Sequence, residues 1–109
     1  MKILIADESP QIRKLIIEIL GSEGNQFVEC SESSQILPTY TSFHPNLVIV
    51  DFELAGMDYL TLKDKYPRSK IIMTSDYSEH DILEKENGKS INGFVMKENL
   101  LVLKDIINN

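Results

Sequence analysis

The stretch Leu47-Val48-Ile49-Val50-Asp51 decides the fold of this chain. Four consecutive apolar residues, three of them β-branched, run directly into a carboxylate. A continuous apolar run of this length is typical of a strand that is buried on both faces, as in a parallel sheet covered by helices. Ligand sites of open α/β sheets lie outside the carboxyl ends of the strands, so Asp51 is expected at such a site. Taken alone, Asp51 is also explained as the end of a strand or the cap of the next element.

The length and composition predict one globular domain over residues 1–109. Of the 109 residues, 42% are hydrophobic and 26% are charged, and the net charge is −6. That charge argues against a nucleic-acid surface, because phosphate binding needs clustered Lys and Arg. No apolar run is long enough to span a membrane, and no charged leader with an apolar core is seen before Ile3, so a signal peptide is not expected. Cys30 is the only cysteine, so it is interpreted as a small core residue, and a cytoplasmic location is expected.

Strand-like and helix-like segments alternate along the whole chain. The predicted strands cover residues 2–6, 27–30, 47–51, 70–73 and 93–96. The predicted helices lie at 10–20, between 31 and 43, at 58–66, at 78–86 and at 99–107. This alternation implies an α/β fold, a five-stranded parallel sheet with helices on both faces and right-handed crossovers.

Local signals indicate where several of these helices begin. Ser9 is expected to be an N-cap and Pro10 the first helical residue. The apolar residues of this helix recur at helical spacing and predict one buried face: Ile12, Leu15, Ile16, Ile19 and Leu20. Asp58 is a candidate N-cap, and Ser78-x-x-Asp81 resembles a capping box.

The residues that follow the predicted strands have complementary chemistry. The first strand is followed by Asp7-Glu8, the third ends in Asp51, the fourth in Thr74-Ser75, and the last is followed by Lys97. Because parallel strands end at the same edge of a sheet, these groups are expected to form one pocket. Each acid alone could serve a helix N-terminus, so it is the combination that indicates a function.

Carboxylates at this edge predict phosphoryl transfer that depends on Mg²⁺. Asp7, Glu8 and Asp51 offer the oxygen atoms that Mg²⁺ prefers, and the backbone carbonyl of Glu53 is a further candidate ligand. The metal would offset the repulsion between a phosphoryl donor and a carboxylate. An Asp carboxylate can attack phosphorus to form an acyl phosphate, and Asp51 is the candidate because it ends the central strand. Lys97 and a strand-end hydroxyl would neutralise and hydrogen-bond the transferred oxygens.

The chain resembles the response-regulator receiver domains of two-component signalling over essentially its whole length. The resemblance rests on residues 3–10, 47–51, 56–58, 71–75 and 93–97. It implies a flavodoxin-like fold, Mg²⁺ dependence, and phosphoryl transfer from a sensor histidine kinase or phosphotransfer protein to Asp51. It places the switch hydroxyl at Ser75, with Thr74 as the alternative one residue earlier.

The resemblance also implies a conformational switch. A phosphoryl group on Asp51 would draw the Ser75 hydroxyl inward, and Phe94 would rotate into the space that this leaves. The face built from the fourth predicted helix, the last strand and the last helix would then bind an output partner or a second copy differently. Taken alone, Phe94 is better explained as an ordinary core aromatic.

Four positions depart from the family pattern. Ala55 stands where Pro is usual and Tyr59 where Gly is usual, while Asp76 replaces a small residue and Glu98 replaces Pro. None of these changes removes a catalytic group, so they bear on kinetics and on the choice of partner.

Two further functions stay open at the level of sequence. A pseudo-receiver would use the same fold as a docking or dimerisation module without phosphorylation. A phosphatase of the haloacid-dehalogenase type would need a second Asp two residues after its nucleophile, where this chain has Glu53.

Overall fold

One parallel sheet organises the computed structural model, which describes residues 1–21, 24–55, 58–76 and 91–107. Its strand order is β2-β1-β3-β4-β5. The strands are β1 (Lys2–Ala6), β2 (Gln26–Cys30), β3 (Leu47–Asp51), β4 (Ile71–Ser75) and β5 (Gly93–Met96). All neighbouring strands are parallel, which confirms the predicted five-stranded α/β fold of the flavodoxin-like type.

In the described part of the chain, helical segments follow β1, β2, β3 and β5. The α-helices are α1 (Pro10–Leu20), α2 (Ile36–Phe43), α3 (Phe52–Ala55), α4 (Asp58–Lys65) and α5 (Leu103–Ile107). Two 3₁₀ segments, Ser33–Gln35 and Lys97–Val102, precede α2 and α5. The predicted helix at 78–86, with its capping-box residues, and the loop residues 56–57 lie outside the described residues. In the described part of the chain, no helix is long and apolar enough to cross a membrane.

Two hydrophobic clusters cover the two faces of the sheet. On one face, α1 and the C-terminal segment contribute Ile16, Ile19, Leu20, Leu100 and Leu103. On the other face, α2 and α4 contribute Ile36, Tyr40 and Leu62. Successive residues of β3 belong alternately to the two clusters, as strand geometry requires. All five residues of β3 are buried, so the predicted central strand is confirmed.

The predicted start of α1 is confirmed, but one residue of its predicted buried face is exposed. The Ile12 N–H donates to Ser9 Oγ at 3.3 Å, and Pro10 occupies the first helical position. Leu15 was predicted to be buried, yet 42% of it is exposed. With about 3.6 residues per turn, Leu15 lies roughly 90° from the centre of the face that α1 buries, so it lies at the margin of the apolar stripe.

Several element boundaries differ from the prediction. β4 continues through Thr74 to Ser75, because both polar residues remain buried within the strand. Asp58 lies within α4 instead of preceding it, and the single turn α3 was not predicted, because four residues are too few to show a helical period. The last helix is irregular: Lys97–Val102 is 3₁₀ and contains Asn99 at φ −123°, ψ 34°, and α-helix begins only at Leu103.

Candidate functional site

Three of the predicted site residues, Asp7, Asp51 and Lys97, lie together at the carboxyl edge of the sheet. Asp7 follows β1 directly, and Asp51 is the last residue of the adjacent β3. The register pairs Ala6 with Val50, so the two carboxylates occupy equivalent positions on neighbouring strands. Asp7 is 2% exposed and Asp51 is 7% exposed. Two buried acids side by side require a positive partner.

Lys97 is that partner. Its Nζ lies 3.0 Å from Asp51 Oδ1 and 3.1 Å from Asp7 Oδ2. Lys97 follows β5, at the far edge of the sheet from β1, and its side chain extends across the site. Only 15% of this side chain is exposed, so its ion pairs are shielded from solvent. A single ammonium therefore bridges two carboxylates from two strands.

Backbone amides hold the remaining carboxylate oxygens. The Ser9 N–H donates to Asp7 Oδ1 at 2.8 Å, and the Leu54 N–H donates to Asp51 Oδ2 at 3.2 Å. Leu54 belongs to α3, so Asp51 is the N-cap of that helix. Both interpretations of Asp51 in the sequence therefore apply: it caps the next element, and it is also a carboxylate of the shared site.

The environment shifts the pKa of both partners of the central ion pair. Burial raises the pKa of Asp51 above its ordinary value, and the charge of Asp7 adds to the rise, while Lys97 and the Leu54 N–H oppose it. Burial acts to lower the pKa of Lys97, but its hydrogen bonds to Asp51 and Asp7 and their charges outweigh burial and raise it. The ammonium form of Lys97 is therefore the form that the site favours.

The two candidate switch hydroxyls lie on opposite faces of the sheet. Ser75 and Thr74 are both 1% exposed. Met73 of β4 pairs with Phe94 of β5, and both belong to the cluster that α2 and α4 cover. Because side chains alternate along a strand, Ser75 lies on the face of Met73 and Phe94, and Thr74 lies on the face of Ile72. Ser75 therefore shares a face with the predicted aromatic switch residue, and Thr74 does not.

Phe94 is half-buried and packs against its cluster from the edge of the sheet. It borders a cavity of about 240 Å³, together with Met96, Asn99 and Val102.

The predicted metal ligands separate into two groups. Asp7 and Asp51 are buried and share Lys97, whereas the side chains of Glu8 and Glu53 are exposed. Within the described ranges, no three His, Cys, Asp or Glu side chains gather closely enough to hold a metal ion. Glu8 therefore does not complete a three-acid cluster. Two carboxylates and a backbone carbonyl still fit Mg²⁺, which is commonly bound through one or two carboxylates and keeps several waters.

Sequence reasoning missed Arg13. Its Nη1 donates to the carbonyl oxygens of Asp7 and Glu8, at 2.6 and 3.3 Å, and its Nε donates to Glu29 Oε1 at 2.9 Å. The available signal was its place in the first turn of α1, directly after residues 7–9, which form the acidic loop.

Comparisons with known proteins define the family. The chain matches the response regulator receiver domain over residues 3–108, and it therefore belongs to that family of two-component signalling domains. It is 30% identical over 87 residues to sporulation initiation phosphotransferase F of Bacillus subtilis. This match covers 76% of this chain and 70% of that protein. It is 34% identical over 112 residues to the fimbriae Z protein of Salmonella typhimurium, which covers 97% of this chain but only 52% of that protein.

A solved structure supports the same assignment. The crystal structure of the response regulator protein TrrA from Thermotoga maritima, in complex with Mg²⁺-BeF, superposes with a TM-score of 0.85. The two sequences are 27% identical, and the match covers 98% of this chain and 96% of TrrA. The family assignment therefore rests on sequence and on fold.

Proposed function

We propose that this receiver domain accepts a phosphoryl group on Asp51 in a Mg²⁺-dependent reaction and that this modification changes its output face. The observation that carries the proposal is the position of the Lys97 ammonium, within 3.1 Å of carboxylate oxygens of both Asp51 and Asp7. In such an arrangement, one buried acid can act as the nucleophile, and the cation can stabilise the negative charge on the group that is transferred.

In the proposed step, an Asp51 carboxylate oxygen attacks the phosphorus of a phosphohistidine on a sensor kinase or phosphotransfer protein. The new O–P bond forms as the N–P bond breaks, and the imidazole of the donor leaves with the electron pair of that bond. Lys97 neutralises negative charge on the transferred oxygens, and the Leu54 N–H holds the Asp51 carboxylate in its orientation.

Magnesium, when bound, supplies a divalent charge that neutralises the phosphoryl oxygens and the adjacent acids. The carboxylates of Asp7 and Asp51, with the carbonyl of Glu53, are the groups that would hold it. The Mg²⁺-BeF complex of TrrA supports the binding of Mg²⁺ by this domain.

The proposed output change passes from Ser75 to Phe94. Ser75 ends β4 on the sheet face to which Phe94 belongs, so a movement of its hydroxyl towards Asp51 changes packing on the Phe94 side. The exposed surface beside Phe94 is then the surface that would contact a partner or a second copy. A cytoplasmic kinase or phosphotransfer protein is the proposed phosphoryl donor.

Intact-mass measurement tests the proposal. The wild-type domain is incubated with acetyl phosphate and Mg²⁺, beside Asp51→Asn and the control Asp64→Asn, which changes an exposed carboxylate on α4. We expect one added phosphoryl group in the wild type and in the control, and none in Asp51→Asn or without Mg²⁺.

The opposite result has a defined meaning. If the wild type gains no mass and beryllofluoride with Mg²⁺ leaves its NMR spectrum unchanged, Asp51 is not a phospho-acceptor. A docking role that does not depend on phosphorylation would then be the better explanation of the fold.

A further inference from the structure

Arg13 holds both backbone carbonyls of the acidic loop. Its Nη1 lies 2.6 Å from the Asp7 carbonyl oxygen and 3.3 Å from that of Glu8. Both carbonyls lie beyond the end of β1, and the contact to the Asp7 carbonyl is partly buried, so that carbonyl needs a partner. The guanidinium of α1 supplies it, and hydrogen bonds from a charged donor are stronger than neutral ones.

One peptide unit links Arg13 to the carboxylate of Asp7. In the peptide between Glu8 and Ser9, the Glu8 carbonyl oxygen accepts a hydrogen bond from Arg13 Nη1. The Ser9 N–H of the same peptide donates to Asp7 Oδ1 at 2.8 Å. The orientation of this peptide plane therefore depends on Arg13, and it determines where the Asp7 carboxylate is held. With Oδ1 held in this way, Oδ2 faces the site, 3.1 Å from Lys97 Nζ.

Glu29 on β2 orients the guanidinium in turn. Its Oε1 lies 2.9 Å from Arg13 Nε, while the Arg13 side chain is only 15% exposed. The contact leaves Nη1 directed at the loop carbonyls. The acidic loop is thereby braced from α1 and from the neighbouring strand.

We infer that Arg13, oriented by Glu29, is a positioning residue that sets the geometry of the acidic loop for binding a divalent cation. This inference rests on the proposed function, because it assigns the loop acids to Mg²⁺. Residues that orient metal ligands without touching the metal commonly change metal affinity when they are replaced.

The direction in which Arg13→Gln changes Mg²⁺ affinity distinguishes a positioning role of Arg13 from a purely electrostatic one. Arg13 carries a positive charge near the site, so a purely electrostatic role predicts that Arg13→Gln binds Mg²⁺ more tightly. A positioning role predicts weaker binding, because the Glu8–Ser9 peptide loses its orientation. The two roles therefore predict changes in opposite directions.

The experiment is a calorimetric Mg²⁺ titration of the wild type, Arg13→Gln, Arg13→Lys, Glu29→Gln and Lys14→Gln. Lys14 is exposed on the same helix, so its replacement makes the same charge change away from the loop. We expect Arg13→Gln to raise the dissociation constant for Mg²⁺ by about tenfold. We expect Lys14→Gln to stay within about twofold of the wild type, because exposed charges are screened. Arg13→Lys keeps the charge but loses the branched guanidinium, so its dissociation constant should lie between those of Arg13→Gln and Lys14→Gln. Glu29→Gln should weaken Mg²⁺ binding less than Arg13→Gln does.

Two further measurements accompany the titration. Amide exchange at Ser9 should accelerate in Arg13→Gln and stay unchanged in Lys14→Gln. Phosphorylation of Arg13→Gln by acetyl phosphate should need more Mg²⁺ for half-maximal rate, with a nearly unchanged rate at saturating Mg²⁺. If Arg13→Gln fails to fold, the same comparisons are made with Arg13→Lys and Glu29→Gln.

Each outcome decides the inference. Wild-type Mg²⁺ binding with unchanged or tighter binding in Arg13→Gln overturns the positioning role and leaves the proposed function intact. A wild type that binds no Mg²⁺ and takes up no phosphoryl group overturns both.

Discussion

Lys97 Nζ lies 3.0 Å from Asp51 Oδ1, and this ion pair joins the residue after the last strand to the end of the central strand. The same ammonium also contacts Asp7, so one cation compensates two buried carboxylates. The site is therefore short of positive charge, and both its stability and its ligand preference should reflect that deficit.

Replacing Lys97 should destabilise the domain. The pKa of Lys97 is raised in the folded state, so its contribution to stability is complete below its unfolded pKa and is lost as pH rises through the folded value. At pH 7, Lys97→Met should lower the free energy of unfolding by about 2 kcal/mol, because two buried acids lose their cation. Urea titration measures this. Lys104→Met, an exposed lysine on α5, is the control, and equal effects of the two variants would contradict the prediction.

Asp51→Asn should stabilise the metal-free domain at pH 7. The folded-state pKa of Asp51 is raised, so the stability that its protonated form contributes is present at low pH and is lost as pH rises through that value. Removing the charge should therefore raise the free energy of unfolding at pH 7 by about 1–2 kcal/mol. The difference should shrink as pH falls through the raised folded-state pKa of Asp51 and should be smallest below the ordinary pKa of an aspartic acid, about 3.9. A less stable Asp51→Asn at pH 7 in urea titrations would contradict this account.

Mg²⁺ should stabilise the wild-type domain more than either acid variant. At a Mg²⁺ concentration ten times the dissociation constant, the expected gain in unfolding free energy is about 1.4 kcal/mol. Asp7→Asn and Asp51→Asn should each lose most of this gain, since each removes one of the two buried carboxylates. Thermal unfolding with and without Mg²⁺ measures it, and a full gain in both variants would place the metal elsewhere.

The switch should depend on Ser75 and not on Thr74. Adding beryllofluoride and Mg²⁺ should shift the ring signals of Phe94, because Ser75 and Phe94 share one face of the sheet. Ser75→Ala should abolish that shift while beryllofluoride still binds, whereas Thr74→Val should retain it. NMR of phenylalanine-labelled protein, assigned with Phe94→Leu, provides the measurement, and the reverse pattern would transfer the role to Thr74.

The Cys30 thiol should be chemically inert in the native domain. It is 1% exposed, and burial raises its pKa, although a hydrogen bond from Thr39 and the charge of Arg13 act in the opposite direction. A disulfide reagent at pH 7.5 should react roughly 100-fold more slowly than in concentrated urea. Rapid labelling of the folded protein would show that the end of β2 opens.

The strands and the gathering of Asp7, Asp51 and Lys97 could be predicted because most strands carry an apolar run, and because four of the five end in or are followed by a chemically distinctive residue. Parallel pairing then brings the ends together without any detail of side-chain contact. The exposure of Glu8 and the role of Arg13 could not be predicted in the same way. Both depend on peptide orientations in a short loop, and those orientations leave no periodic trace in the sequence.

The exposure of Leu15 has the same kind of cause. Helical spacing identifies the apolar face of α1. How much of that face is covered depends on the packing of the C-terminal segment against it. That segment is irregular around Asn99, and its dihedral angles are not encoded in the apolar pattern.

The register between β1 and β3 has a consequence for engineering. Because Ala6 is paired with Val50, the backbone separation of the two acids follows from the strand ladder, while the contacts of the acidic loop set the orientation of the Asp7 carboxylate. Inserted residues in the surface connections should leave this distance unchanged. A single residue inserted within either strand would turn every following side chain to the other face, and the pair of acids would be lost while the apolar composition stayed the same.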